Sequence, residues 1–364
     1  MLAISVVVVH TWPSTLSLSE FNEFNQTNLA KSFGLILPMF FALSGFLVSG
    51  SLERTPSIRA FAGLRVLRLW PALVVEIILS AFILGPIFTT YAMHDYFADP
   101  KFARYFFNLL GHPQYELAGV FESNPHKGSV NSQLWTLPYE LYCYVALIGC
   151  SILGFYKKGL PLIITTIFLQ IVTIYLALQK QDISHGLNLV SAFLCGVIIY
   201  KYRTAITFNV KLFFLLFFMI FVMYCLRGGE YLSTPLVAYI TVFLGLCNPR
   251  RSNIVTSGDY SYGVYLYGFP VQQAFAALGV RNWFLHLALS LSSVLVFAAM
   301  SWWVVEKRAL KLRRFLTPSI GAHRVAEVVT ASEVIHGQAA QAEAAFIESQ
   351  ALDINAQLLP RTKD

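Results

Sequence analysis

Residues 32–52 read SFGLILPMFFALSGFLVSGSL, twenty-one positions without a charged side chain. Wound as an α-helix, that stretch rises about 31 Å at ~1.5 Å per residue, close to the ~30 Å of a bilayer's hydrocarbon core. Comparable apolar runs lie near 70–92, 134–155, 159–178, 186–200, 210–226, 232–248, 258–278 and 283–305. Residues 1–12, MLAISVVVVHTW, form a tenth run. It is too short to cross alone, since about 20 residues are needed. It lacks the basic n-region and small-residue cleavage site of a signal peptide, so it reads as the outer part of a first helix that begins upstream. The expected fold is therefore all-α: a polytopic integral membrane bundle of about ten transmembrane helices.

Composition points the same way. Of 364 residues, 56% are hydrophobic and 12% charged, whereas soluble domains carry about 25% charged residues. The net charge of +7 does not come from a basic tract interleaved with aromatics, so no nucleic-acid partner is expected. Instead the cations fall in the short gaps. Sixteen Lys and Arg lie in the gaps after spans two, four, six and eight and just after the last span, including Arg54, Arg59, Arg65, Arg68, Arg250, Arg251 and Lys307; the alternate gaps hold seven. By the positive-inside rule this alternation puts both termini in the cytoplasm. The five cysteines sit in apolar runs without CxxC spacing and are expected to be buried thiols, neither bridged nor metal-bound.

Two segments differ from the rest. Residues 53–69 read as a basic amphipathic stretch on the cytoplasmic face, and 93–131 as a long outer loop, functional or partly ordered against the membrane. The domain plan is a membrane-embedded unit over 1–315 and a cytoplasmic tail over 316–364, flexible or partly helical. No internal repeat suggests the paired halves of a secondary transporter.

Ionisable groups inside spans are costly and need a reason. His10 ends the run of valines; it is either an interfacial residue bonded to a carbonyl or a catalytic imidazole. Glu140, within LWTLPYELYCY, and Glu76, within WPALVVEIILS, are each either an acceptor for a Tyr or Trp of a neighbouring helix or a working carboxylate. Arg65 and Arg68 in GLRVLRLWP share one helical face. They serve either as a positive-inside anchor or as an anion clamp, two guanidiniums matching phosphate oxygens, and Arg59 extends that face loosely. The loop histidines His94, His112 and His126 have no metal-ligand spacing and read as ordinary loop residues; no metal is expected.

At these residues the chain resembles the acyltransferase-3 family of bacterial membrane acyltransferases, over about residues 1–315. LAISVVVVH is similar to the family's first helix ending in its histidine, FFALSGFLVSG to its second-span signature, and Arg65–Arg68 to its RxxR. SQLWTLPYELYCY, YSYGVYLYGFPV and VVEKRALKLRR resemble three further signatures in the family's order. The resemblance implies a multi-pass protein of the bacterial cytoplasmic membrane. Its implied activity is transfer of an acyl group, usually acetyl, from cytoplasmic acetyl-CoA to a hydroxyl of a saccharide or other envelope molecule. It casts His10 as general base or transient acyl carrier and Arg65 and Arg68 as ligands of the coenzyme A phosphates; Glu140 would orient His10 or bond the acceptor. Two positions depart from the pattern. The family's arginine eleven residues before the histidine would fall upstream of Met1, and Gly268 stands where many members carry histidine. Two other functions fit less of the pattern: a transporter or flippase of a polysaccharide precursor, and an inactive relative serving as an assembly or sensor component.

Overall fold

A computed structural model describes residues 2–55, 57–247 and 258–316, with only the backbone of Leu18 and Asn28. Arg250, Arg251 and the tail from residue 317 onward lie outside the described residues. The described part is all-helical; its only β-pairings are isolated bridges, Thr89 with Val120 and Glu116 with Ser129.

Ten helices of thirteen or more residues follow one another among the described residues: α1 (Leu2–Thr15), α2 (Ile36–Arg54), α3 (Ile58–Leu79), α4 (Leu137–Ile152), α5 (Leu160–Leu178), α6 (Ile183–Lys201), α7 (Val210–Tyr224), α8 (Thr234–Leu246), α9 (Ser261–Ala277) and α10 (Trp283–Ser301). With their continuations, five are long and apolar enough to cross a membrane: Leu29–Arg54, Ile58–Phe88, Leu160–Leu178, Ile183–Lys201 and Trp283–Leu316. Their outward faces suit lipid and little else. On α7, Phe214, Phe217, Phe218 and Phe221 are all more than half exposed, an apolar surface that water would not tolerate.

The tightest joint is between α2 and α6. A Cβ on Gly45 would lie 2.0 Å from the Phe193 carbonyl oxygen, and one on Gly196 2.0 Å from that of Ala42. Only glycine allows backbones to approach so closely, the usual means of packing helices where lipid removes the hydrophobic drive. Around this joint Phe41, Leu73, Ile77, Leu134, Leu147 and Phe193 build the main core. A smaller cluster of Ala3, Val7, Val264, Val294 and Ala298 seats α1 against α9 and α10.

Two expectations change, and a third gains detail. The basic stretch 53–69 is not a separate surface segment: from Ile58 it is the first half of α3, capped by Ser57, whose Oγ accepts from the Ala60 N–H at 3.2 Å. Pro71 lies inside this helix and does not end it. Cys143 and Cys195 are buried, but Cys225 and Cys247 are exposed, because an apolar segment here can face outward as readily as inward. Finally, the 93–131 segment is ordered, with helices Met93–Ala98 and Pro100–Tyr105 and a 3-10 turn Phe106–Leu110. Its Tyr96, Tyr105, Leu117, Val120 and Phe121 are buried.

Candidate active site

The site grows from the two faces of α1. Val7 and Thr11 turn toward α9, where the buried Gln272 donates its Nε2 to the Val7 carbonyl (2.8 Å) and to Thr11 Oγ1 (2.9 Å). Ala3, Val6 and His10, at spacings of three and four, share another face and line cavities. The Gly268 departure belongs to the α1–α9 contact. A Cβ there would meet Val7 Cγ2 at 3.3 Å, so a histidine at this position would press on α1 one turn from His10.

His10 faces a cavity of about 90 Å³ walled by Val6, Val9, Phe33, Ile36, Leu37, Gln133, Trp135, Thr136 and Tyr265. Its ring meets Phe269 edge-on, with centroids 5.3 Å apart and planes at 87°. Among the described residues its ring nitrogens have no hydrogen-bond partner, while its backbone carbonyl accepts from Ser14 Oγ at 2.8 Å. A partly buried imidazole with both nitrogens unclaimed can take a proton from, or give one to, whatever enters the cavity.

A second, larger cavity of about 210 Å³ adjoins it. Val6, Leu37, Thr136 and Tyr265 line both spaces, and Arg65, Arg68, Glu140, Tyr144 and Asp259 line only the larger one. The Thr136 and Tyr265 hydroxyls lie 3.0 Å apart at this boundary, and Tyr265 donates to the Gln133 carbonyl at 2.9 Å. Arg65 donates to Ser51 Oγ (3.1 Å) and stands over the rings of Phe61 and Tyr144. Arg68 reaches Glu306 and Asp259, each at 2.7 Å, and stands over Tyr262. A π-helical turn at Trp302–Glu306 brings Glu306 inward, a distortion common at functional sites. Thus the two arginines and Glu140 come together, while His10 lies beyond the boundary. Glu140 accepts from the Tyr144 hydroxyl, and Arg59, exposed, lines neither cavity.

The turn carrying Gln133, Trp135 and Thr136 is fixed from behind by Glu76. This buried carboxylate accepts from Ser80 Oγ (2.5 Å) and Asn131 Nδ2 (2.8 Å); Asn131 Oδ1 then accepts from Gln133 Nε2 at 3.2 Å. Glu76 therefore has structural partners, although they are a serine of its own helix and a loop asparagine rather than an aromatic residue of another helix.

Of the loop histidines, His126 departs from the sequence reading. Its ring packs edge-on against the same Phe269, at 5.4 Å and 84°, and its Nε2 lies 3.1 Å from Ser132 Oγ. Burial holds its imidazole below the ordinary histidine value. Gln273 clasps this part of the loop to α9: its Nε2 donates to the carbonyls of His126 (2.7 Å) and Ser129 (2.6 Å), and its own carbonyl accepts from Asn124 Nδ2 at 2.9 Å. No spacing in the sequence links His126 to His10, because their connection runs through a ring on a distant helix. Among the described residues no group of three potential metal ligands occurs.

The family model for an acyltransferase domain, that of the acyltransferase-3 family, matches residues 1–304. The chain belongs to the acyltransferase-3 family. Among known proteins, this acyltransferase is similar to an O-acetyl transferase of Shigella phage Sf6, 28% identical over 288 residues that cover 76% of this chain and 85% of the relative. It is also similar to Nodulation protein 10 of Rhizobium leguminosarum bv. viciae, 28% identical over 307 residues, 76% of this chain and 82% of the relative. No solved structure matches. The family match and the apolar helices together make it a multi-pass membrane protein. The acyltransferase signatures map onto the site described above: the histidine of α1 walls the smaller cavity, RxxR the larger, and the α4 and α9 motifs contribute Thr136 and Tyr265 to both.

Proposed function

We propose that this acyltransferase moves an acyl group, acetyl by default, from acyl-CoA onto a hydroxyl of a saccharide or similar envelope acceptor. The observation that carries the reading is the pair of adjoining cavities, with guanidiniums in one and an unclaimed imidazole in the other. The arginines suit the phosphates of the donor, and the boundary at Thr136 and Tyr265 is where the thioester arm would pass toward His10. The acceptor oxygen attacks the thioester carbonyl carbon as His10 takes its proton. The C–S bond breaks, and the imidazolium returns the proton to the departing thiolate. A cavity near 90 Å³ favours a short acyl group, and the name of the phage relative is consistent with acetyl.

In the same reading the ten helices make one membrane-embedded bundle with the Arg65–Arg68 end and both termini in the cytoplasm, and the membrane is the bacterial inner membrane. The placement of Arg54, Arg65, Arg68 and Lys307 supports this. Reporter fusions at the chain ends and within 93–131 test it.

The activity is tested with full-length protein in membranes supplied with acetyl-CoA and a polysaccharide acceptor, reading coenzyme A release. His10→Ala is expected to lose about 100-fold or more at unchanged protein level. Full activity in His10→Ala removes the catalytic assignment, and acceptor movement without acyl consumption favours transport.

A further inference from the structure

Arg68 holds two carboxylates of very different standing. Glu306 is 2% exposed, lies 2.7 Å from Nη1, and is also bonded by Ser301 Oγ at 3.0 Å. Asp259 is 54% exposed, lies 2.7 Å from Nη2, and among the described residues is otherwise held only by neighbouring Ser261, whose Oγ donates to its other oxygen at 2.5 Å. Arg65 alongside has no carboxylate within 4.0 Å among the described residues and keeps one bond, to Ser51. Arg65, Arg68, Glu140 and Asp259 all line the larger cavity, and Glu306 bonds Arg68 from behind it. Among the described residues the two guanidiniums therefore face three carboxyl groups, which is a poor starting point for receiving a polyanion.

We propose that Asp259 is an exchangeable counter-ion: a phosphate group of the donor displaces it from Nη2 of Arg68 while Glu306 stays and keeps the guanidinium aimed. This rests on the reading of acyl-CoA as donor given above. An exposed ion pair contributes little, and a phosphate brings more charge and a geometry that matches the free edge of the arginine. The Glu306 carboxylate is buried, so parting that pair would strand a charge, and it does not let go. Until a donor arrives, Asp259 spares Arg68 an unpaired charge at the edge of an apolar cavity. Its second effect is selectivity. A ligand must outcompete a tethered carboxylate, so a phosphate is admitted and a phosphate-free thioester or a weak monoanion gains nothing from Arg68.

The test is equilibrium binding of coenzyme A and of pantetheine, which lacks the phosphates, to the full chain in phosphatidylcholine nanodiscs. Asp259→Asn is expected to tighten coenzyme A about two- to fivefold and leave pantetheine unchanged, with Asp259→Ser behaving alike. Arg68→Ala is expected to weaken coenzyme A more than about tenfold. Weaker coenzyme A binding in both folded Asp259 variants overturns the proposal and makes Asp259 a positioning group for Arg68. Equal tightening of pantetheine overturns it as well. If the gain disappears in discs containing phosphatidylglycerol, the phosphate that replaces Asp259 is a lipid headgroup, and the assignment to the donor falls. Failure of the wild-type protein to bind coenzyme A removes the donor reading itself, a result distinct from all the others.

Discussion

Gln272→Leu probes how α1 is held. At fourteen residues this helix rises about 21 Å, short of the ~30 Å apolar core, so its position depends on its neighbours. Gln272 supplies two bonds to it, at 2.8 and 2.9 Å. Hydrogen bonds between membrane helices average about 0.6 kcal/mol and reach about 1.7, so the pair is worth roughly 1–3 kcal/mol. The same side chain has a cost: its Oε1 is buried without a partner, a penalty of about 1–3 kcal/mol that leucine would relieve. The two terms nearly cancel. Gln272→Leu is therefore expected to melt within a few degrees of wild type, given roughly 2–4 °C per kcal/mol for a large domain. Activity is expected to behave differently, because the bonds fix the register of Val7 and Thr11 and hence of His10 one turn away. A displacement near 1 Å costs on the order of 100-fold. Thermal unfolding in nanodiscs and coenzyme A release, measured on one preparation, separate the two. Full activity, or a melting point lowered by more than about 10 °C, would refute the reasoning.

Gly45→Leu is expected to abolish the monodisperse folded fraction on size exclusion, since the Phe193 carbonyl leaves 2.0 Å for the new carbon; Gly245→Ala, whose Cβ would sit an ordinary 3.5 Å from Leu43, is expected to be tolerated. Thr136→Val and Tyr265→Phe each remove a partner from one bond, so each is expected to lower turnover about tenfold and the double variant little further; additive losses count against a shared role. Stability is expected to fall as the pH drops below about 6.5. His126 has a lower value when folded than unfolded, so the unfolded chain binds more protons in that window and gains as the pH falls toward the folded value. His126→Asn is expected to flatten this part of the melting profile, and an unchanged profile removes His126 as its source.

Much of the architecture was legible because hydrophobic length is read directly from sequence: the runs 32–52, 159–178 and 210–226 fall on α2, α5 and α7 within a few residues. What escaped is set by faces and by contacts distant in sequence. The basic stretch before Trp70 looked like a surface segment because charge count says nothing about continuity, and in the structure Ser57 starts one helix that runs through it. Arg65 and Arg68 were placed on one face by their spacing, and they do line one cavity. Their partners were not legible, since Asp259 and Glu306 lie 191 and 238 residues from Arg68. Thr136 and Tyr265 lay inside quoted motifs, yet nothing local distinguished them from their neighbours. His126 had no sequence signal, for its place depends on a glutamine of α9.

The Gln273 clasp makes the outer segment a part with a defined joint. The side chain and the backbone carbonyl of Gln273 on α9 hold residues 124–129, and behind them the Glu76–Asn131 bond ties the segment to α3. A segment exchanged between relatives would keep its shape only if position 273 travelled with it, and only if an acceptor like Glu76 awaited it. The route to new acceptors on this scaffold thus passes through paired changes, one in the loop and one deep in a helix, and a loop grafted alone would arrive without its fastening.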